Sequence, residues 1–213
     1  MINCKSVIDL ASIPDSKPDI GKPSEGFYVD TNIWYDITYE ANPDSDSDYP
    51  LFISKLKRNL GAKLLRSKLS FSELANIIDR NMCENYNDNH LGVLSRKQFR
   101  KIIRQREQVI QEIDNSLKQV ESLTDDVESE KFEEVLNYIS ETQFIDTLGN
   151  TFLDPTDVLM VNIVKANGVQ NIITKDRDYL SVPDIFVITL DERAIEEAKD
   201  ENKFLTFPEF LNI

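Results

Sequence analysis

Four acidic residues stand where an α/β fold could gather them at one edge of a sheet. Two of them come at or just after the ends of the runs 26–29 and 171–174, which predict buried strands. The other two stand where predicted helices begin. Ligands of an open parallel sheet collect beyond the carboxyl ends of its strands, so we expect these acids to share one crevice. The four are Asp30, Glu73, Asp157 and Asp176.

Carboxylates packed closely together raise one another's pKa unless a cation neutralises them. Mg²⁺ and Mn²⁺ suit such a site because hard cations prefer oxygen ligands and keep several waters. Two such ions, roughly 3.5 to 4 Å apart, can activate a water, hold a scissile phosphate and stabilise the departing oxygen. The single histidine, His90, argues against a catalytic triad or a His-rich zinc site. The residues therefore predict metal-assisted hydrolysis of a phosphodiester.

Length and composition indicate one globular domain. The 213 residues are 40% hydrophobic with only 6 Gly and 8 Pro, enough to bury a sizeable core. No apolar run approaches the roughly 20 residues that cross a bilayer, and no signal-peptide core follows the start. Cys4 and Cys83 share no short spacing, which argues against a disulfide framework or a thiolate zinc site. We expect a cytoplasmic protein.

The net charge of -14, from 38 acids and 24 bases, should repel a polyanion at long range. This weighs against a nonspecific nucleic-acid coat protein, but not against an acidic enzyme that concentrates its bases. One helical segment does concentrate them and is the best candidate for gripping a phosphate backbone. A solvated helix face paired with nearby acids is the plainer interpretation. The candidate nucleic-acid-binding residues are Arg96, Lys97, Arg100, Lys101 and Arg104.

The rest of the pattern predicts the elements that position these residues. Strands alternating with helices indicate an α/β fold, with a central parallel sheet covered on both faces. We expect an extended lead-in over residues 1–25 and one domain over 26–213, with a helical insertion at about 85–140. Predicted strands cover 26–29, 68–72, 144–146, 171–174 and 186–188. Predicted helices cover 51–65, 95–123, 128–139 and 156–167, and a further helix opens at Glu73.

Short motifs at the four acids resemble those of the PIN domain family. The family's opening motif is similar to Val29-Asp30-Thr31-Asn32, and its segment with the second acid to Ser72-Glu73-Leu74-Ala75. The start of its later helix is similar to Asp157-Val158-Leu159-Met160-Val161, and its last motif to Ile173-Thr174-Lys175-Asp176-Arg177-Asp178-Tyr179. Each motif alone is weak, but the four occur in the family's order. Together they cover well under half of the chain.

The resemblance implies a three-layer α/β/α fold and a metal-dependent endoribonuclease, similar to the VapC-like ribonucleases. The catalytic and metal-binding residues that it implies are Asp30, Glu73, Asp157 and Asp176, with Mg²⁺ or Mn²⁺ as cofactor. Asp178 would be an additional acid, while Asn32 and Thr174 would orient the carboxylates or the phosphate. Family members are often toxins of toxin–antitoxin pairs and often dimerise. The implied partners are therefore an RNA substrate, an antitoxin or other protein, and a second copy of the chain, with no membrane involved.

Two of the acids also have a purely structural interpretation. Asp154 could cap a helix that carries Pro155 at its first position, and Asp157 would then favour the helix dipole. Glu73 could close a capping box with Ser70. These interpretations need no ligand, so the structure has to show where the two carboxyl groups lie.

Three other functions stay open at this point. A DNA-cutting PIN-like nuclease is one, because the acids do not choose between sugars. A degenerate PIN-like module that binds protein or RNA without cutting is favoured by the negative charge and the long helices, and opposed by the four acids. A haloacid-dehalogenase-like phosphatase with Asp30 as nucleophile is opposed by Asn32, which stands where that family needs a second Asp.

Overall fold

A computed structural model of the chain describes residues 2–15, 26–39, 47–90, 92–126 and 140–213. Within these residues, seven strands form one sheet in which every neighbouring pair is parallel. The strands are β1 (Ser6–Asp9), β2 (Phe27–Val29), β3 (Leu64–Arg66), β4 (Asp125–Asp126), β5 (Asn171–Ile173), β6 (Phe186–Thr189) and β7 (Phe204–Thr206). Their order across the sheet is β4-β3-β2-β5-β6-β1-β7.

Helices supply the crossovers that parallel strands require. In the described ranges they are α1 (Thr31–Thr38), α2 (Tyr49–Leu60), α3 (Lys68–Asp88), α4 (Arg96–Phe99), α5 (Ile103–Leu123), α6 (Glu141–Asn150), α7 (Pro155–Ala166), α8 (Glu192–Asp200) and α9 (Phe207–Phe210). Short 3₁₀ helices cover Leu10–Ser12 and Arg177–Ser181. Of the helices described, none combines the length and the apolar character that a bilayer crossing demands.

Alternate strand residues pack into two apolar cores, one on each face of the sheet. Val7 and Ile172 join a core with α7 and α8, whereas their neighbours Ile8 and Ile173 join a core with α1, α2 and α5. This alternation follows from the two-residue period of side chains along a strand. Because both faces are covered, the strands are apolar on both sides. The predicted three-layer α/β/α fold is confirmed.

The adjacent strands β2 and β5 define the acidic edge of the sheet. Val29 pairs with Ile173, so Asp30 and Thr174 stand side by side where the two strands end. The Asp30 N–H continues the ladder by donating to the Ile173 carbonyl at 2.9 Å. Since all strands run the same way, their carboxyl ends share this edge.

Two of the predicted strands are wrong. Residues 144–146 lie in α6, which begins after the N-cap Ser140. Residues 68–72 belong to α3, and the strand in this part of the chain is β3, which overlaps the end of the predicted helix 51–65. Gly61, with a φ of 61°, ends α2 in the left-handed conformation. Glycine tolerates this conformation, and it breaks the helix so that a strand can follow.

The predicted helix 95–123 is divided into α4 and α5. Ile102 has an extended backbone, with φ of -80° and ψ of 104°, which interrupts the helical hydrogen bonding. The interruption leaves the apolar spacing almost unchanged, so the pattern alone did not reveal it. The predicted helix 128–139 lies outside the described residues.

The segment 1–25 was predicted as an extended lead-in, but its residues Ser6–Asp9 form β1 inside the sheet, between β6 and β7. The prolines and mixed polarity of residues 1–25 obscured the weak periodic signal of a strand of this length. The other strand predictions, over 26–29, 171–174 and 186–188, are confirmed to within about one residue, as is the helix over 156–167.

Candidate active site

Asp30 lies at the carboxyl end of β2 and is the N-cap of α1. Its Oδ1 accepts a hydrogen bond from the Thr31 N–H at 2.7 Å. Its Oδ2 accepts from the Asn32 amide at 2.7 Å and from the Thr174 hydroxyl at 2.6 Å. Since both oxygens are held and the residue is 3% exposed, the carboxyl group has a fixed orientation.

The pKa of Asp30 is raised to about 7. Burial is the main cause, and the charges of Glu73 and Asp176 add to it, while the hydrogen bonds from Thr174 and Thr31 act in the opposite direction. A buried carboxyl group favours its neutral form because water no longer solvates the charge. A nearby cation would favour the ionised form instead.

Glu73 reaches the same edge from α3. The helix begins at Lys68 after the N-cap Ser67, so Glu73 stands in the second turn and not in the first, as was predicted. The predicted capping box of Glu73 with Ser70 is also wrong, because Ser67 supplies the cap by accepting a hydrogen bond from the Leu69 N–H. The Glu73 carboxyl group is therefore not occupied in starting its own helix.

The Glu73 Oε2 instead accepts a hydrogen bond from the Thr31 hydroxyl at 2.7 Å. Thr31 thereby connects Glu73 to Asp30, whose Oδ1 accepts the Thr31 N–H. Burial raises the pKa of Glu73, and the charges of Asp154 and Asp176 raise it further. Glu73 is thus a second partly desolvated acid beside Asp30.

Asp157 lies in the first turn of α7, as predicted. Asp154 is the N-cap of this helix and accepts the Asp157 N–H at 2.9 Å, which confirms the structural interpretation of this segment. The Asp157 Oδ1 accepts a hydrogen bond from the buried Tyr179 hydroxyl at 3.0 Å. The pKa of Asp157 is raised to about 8, mainly by burial and then by the charges of Asp30, Asp154 and Glu73. The helix cap and the buried acid therefore coexist.

Asp176 follows β5 and caps the 3₁₀ helix by accepting the Asp178 N–H at 2.8 Å. Its own N–H donates to the Thr174 hydroxyl oxygen at 2.9 Å, which ties it to the group that holds Asp30. Asp178 is exposed on the whole. The pKa of its carboxyl group is raised, first by slight desolvation and then by the charge of Asp176. Its role as an additional acid stays a prediction.

The four predicted acids are close enough for their charges to interact. Asp30 is affected by Glu73 and Asp176, and Asp157 by Asp30 and Glu73. Across the described ranges, however, no group of three or more His, Cys, Asp or Glu side chains is already arranged to hold a metal ion. We call the four acids the acidic cluster, and their assignment as metal ligands stays a prediction.

The donor atoms of the cluster fit Mg²⁺ or Mn²⁺, because they are carboxyl and amide oxygens. The Asn32 Nδ2 donates to Asp30 and to Thr174, at 2.7 and 3.3 Å. The Asn32 Oδ1 is buried and has no hydrogen-bond partner in the part of the chain that the structure describes. Leaving a buried acceptor unpaired is costly, and a hydrated cation would satisfy it.

Two of the five predicted nucleic-acid-binding residues pair with an acid on α3. Arg96 and Arg100 each place an Nη2 near the Asp79 Oδ2, at 2.9 and 2.6 Å, and Asp79 is 3% exposed. Pairing with a nearby acid is therefore confirmed for these two arginines. Lys97, Lys101 and Arg104 are exposed, and the nucleic-acid-binding role of all five bases stays a prediction.

Sequence reasoning missed the contacts of two residues near the cluster. Tyr179 is fully buried and donates to Asp157, which its place at the end of the last motif did not indicate. Arg80 is exposed on α3 and shares a cleft with Glu73. Its position seven residues after Glu73 could have identified it, because residues two helical turns apart lie on the same face.

The part of the chain that contains the four acids matches a known protein family. A family model, described as the PIN domain, matches residues 27–185, which is more than half of the 213 residues and includes all four acids. The search of curated proteins found no match. PIN domains are generally nucleases, and those nucleases typically use divalent metal ions. The chain therefore belongs to the PIN domain family.

Proposed function

We propose that the protein is a divalent-metal-dependent endoribonuclease that hydrolyses phosphodiester bonds. Its catalytic site is formed by Asp30, Glu73, Asp157 and Asp176. The observation that carries the proposal is the convergence of these acids at the carboxyl edge of the sheet. Asp30 and Asp157 are nearly buried there, and polar neighbours hold each of them in place. Natural proteins bury carboxyl groups in such numbers where a cation or a substrate compensates the charge.

The surrounding residues prepare the acids for this role. Thr174 and Asn32 fix one oxygen of Asp30, Thr31 fixes one oxygen of Glu73, and Tyr179 fixes one oxygen of Asp157. Such outer contacts orient ligating carboxylates before any ion arrives. A bound Mg²⁺ or Mn²⁺ would supply the Lewis acidity that makes water a nucleophile and stabilises charge on the phosphate oxygens. The four acids would hold it.

We propose RNA as the substrate because the motifs at the acids resemble those of VapC-like ribonucleases. The toxin role, the antitoxin partner and the homodimer implied by that resemblance stay predictions. Cys4 and Cys83 are both free and buried, which suits a reducing compartment, and we place the reaction in the cytoplasm.

A test of this proposal incubates the purified protein with labelled single-stranded RNA and with DNA of the same sequence. Each strand is incubated with Mn²⁺, with Mg²⁺ and with EDTA. The proposal expects cleavage of RNA that requires a metal ion and stops in EDTA. Metal-dependent cleavage confined to DNA would replace the proposed substrate. Binding of RNA without cleavage under any condition would favour the non-cutting binding module, and cleavage that persists in EDTA would contradict a metal-dependent site.

A further inference from the structure

A cleft of about 320 Å³, open to solvent, lies between α3, Arg96 of α4 and the start of α7. Its polar lining residues are Ser72, Glu73, Asn76, Arg80, Arg96 and Thr156. The cleft begins at the acidic cluster, because Glu73 belongs to both and Thr156 directly precedes Asp157. A molecule bound in the cleft would therefore pass beside the acids.

The α3 side of the cleft has the spacing of one helix face. Glu73, Asn76 and Arg80 follow one another at three and four residues, so they line up along the axis. Seven residues of α-helix rise by roughly 10 Å, which separates Arg80 from Glu73 along the cleft. This arrangement puts an acid at one end of the face and an arginine at the other.

Arg80 is exposed and makes no ion pair or hydrogen bond within the described residues. The other arginines nearby differ from it in this respect. Arg96, Arg100 and Arg106 all pair with Asp79. Arg96 uses its Nε and Nη2 for that contact, so the side chain is held rigidly while it lines the cleft. Asp79 is therefore the shared acidic partner of these three arginines, whereas Arg80 is uncompensated within the described residues.

An uncompensated arginine suits one ligand chemistry in particular. The planar guanidinium group pairs with phosphate oxygens in a two-pronged geometry, and side-chain hydroxyls and amides add hydrogen bonds to phosphate and sugar. The cleft offers all of these groups in Arg80, Arg96, Ser72 and Asn76. In a chain of net charge -14, such a site beside an acidic cluster would position a polyanion that the rest of the surface repels.

We propose that this cleft binds the phosphate backbone of a single nucleic-acid strand next to the bond that is cut. Arg80 makes the principal phosphate contact, and Arg96 forms a fixed second wall. This inference rests on the proposed nuclease function, since it names the path of the substrate into that site. Phosphate contacts are shared by RNA and DNA, so Arg80 sets affinity and not the choice of sugar.

The test compares the intact protein with Arg80→Ala, Arg80→Lys and Arg58→Ala. Arg58 is a matched control because it is also an exposed helical arginine, in the last turn of α2, and within the described residues its side chain bonds only to its neighbour Asn59. Binding of labelled single-stranded RNA and DNA is measured by fluorescence anisotropy in EDTA over a range of salt concentrations. Cleavage of the same strands is then followed with Mn²⁺.

Arg80→Ala is expected to weaken binding of both strands severalfold and to lower the slope of log K against log salt by about 0.7, the value for one phosphate contact on a single strand. The affinity of Arg80→Lys should fall between those of Arg80→Ala and the intact protein. Lysine keeps the positive charge but loses the two-pronged geometry of the guanidinium group. Arg58→Ala should bind like the intact protein. In the cleavage assay, the Arg80→Ala defect should appear in KM.

Three results would overturn the inference: equal binding by Arg80→Ala and the intact protein, an equal loss in Arg58→Ala, or no binding of either strand by the intact protein. A loss confined to RNA or to DNA would contradict a phosphate contact. A different result would show that the nuclease proposal fails while the cleft proposal holds. Binding would still depend on Arg80, but the intact protein would cleave neither strand with any metal ion.

Discussion

The Asp30 side chain both caps α1 and belongs to the acidic cluster. Its Oδ1 caps α1 through the Thr31 N–H, while its Oδ2 is held by Asn32 and Thr174. An N-cap acid is stabilised by the helix dipole, which offsets part of the cost of burying the carboxyl group. Capping and metal binding are therefore compatible at this residue, since the cap fixes where the second oxygen lies.

The raised pKa of Asp157 predicts a measurable change of stability with pH. The pKa of this group is near 3.8 in the unfolded chain and about 8 in the folded protein, so the folded state keeps its proton up to a higher pH. The free energy of unfolding must then decrease as pH rises between these values. Asp157→Asn cannot ionise and keeps an oxygen that can accept from Tyr179. In EDTA, its melting temperature should exceed that of the intact protein by more at pH 8 than at pH 5.

Each kcal/mol of this difference corresponds to roughly 2 to 4 °C in a chain of this size. The control is Asp200→Asn, an exposed acid at the end of α8, which should show no such trend. Adding Mn²⁺ should reduce the advantage of Asp157→Asn, because the ion would stabilise only the ionised site. A difference that stays constant between pH 5 and pH 8 would show that Asp157 does not ionise in this range.

At the residue scale, sequence reasoning found the acids because each stands next to a recognisable local signal. Asp30 follows an apolar run, and Asp157 stands behind the Asp154-Pro155 helix start. Tyr179 stands in the last motif, but its contact with Asp157 is created by folding, and the signal for Arg80 is only its helical spacing from Glu73. Burial and pairing across elements, as between Tyr179 and Asp157, depend on the tertiary structure.

At the scale of elements, Asp79 fastens α4 and α5 to α3. Its carboxyl group accepts hydrogen bonds from Arg96 and Arg100, and Arg106 lies 3.6 Å away. Burial would raise the pKa of Asp79, but the hydrogen bonds and charges of Arg100 and Arg96 outweigh it and hold the pKa below its usual value. The interaction therefore stabilises the fold above about pH 4, and this contribution is lost as the pH falls through the lowered pKa.

Asp79→Asn is expected to lower the free energy of unfolding by about 1.5 to 3 kcal/mol, the usual range for a hydrogen-bonded charged group. Three arginines would lose their shared anion while remaining close together. Urea unfolding measures the change, and hydrogen exchange locates it in α4 and α5. The matched control is Asp114→Asn, which removes an exposed partner of Lys118 and should cost about 0.5 kcal/mol or less. Equal losses in the two variants would contradict the fastening role of Asp79.

Element boundaries were harder to predict than element types. β3, β2 and β5 each have three residues, which is too short for a period-two pattern to distinguish a strand from a helix turn. The runs at 27–29 and 171–173 could be recognised because they are apolar and end in polar residues. The run at 64–66 ends in Arg66 and continues a helical pattern from α2, so only the conformation of Gly61 separates the two elements.

At the scale of the whole molecule, the sheet depends on the segment near the start of the chain. β1 pairs with β6 on one side and β7 on the other, and its residues Val7 and Ile8 are fully buried. The PIN domain model matches residues 27–185 and so does not include these three strands. The sheet thus extends beyond the part that the family model covers.

Deletion of residues 1–25 is therefore expected to abolish cooperative thermal unfolding, because β7 and α9 would lose the strand that joins them to the sheet. Circular dichroism melting measures this directly. A chain lacking the exposed Asn212 and Ile213 provides the control and should melt like the intact protein. A cooperative transition at an unchanged temperature in the shortened chain would contradict this role of β1 in the sheet.

The most direct test of the whole account is the rate of Mn²⁺-dependent cleavage by Asp30→Asn. The substitution keeps the size of the side chain and an oxygen that can cap α1, but removes the charge at the centre of the acidic cluster. Asp200→Asn serves as the control for loss of one exposed acid. We expect Asp30→Asn to lose activity by at least about a hundredfold, since even outer contacts of a metal site matter by 10- to 100-fold, while Asp200→Asn cleaves normally. Full activity in Asp30→Asn would contradict a catalytic site at these four acids.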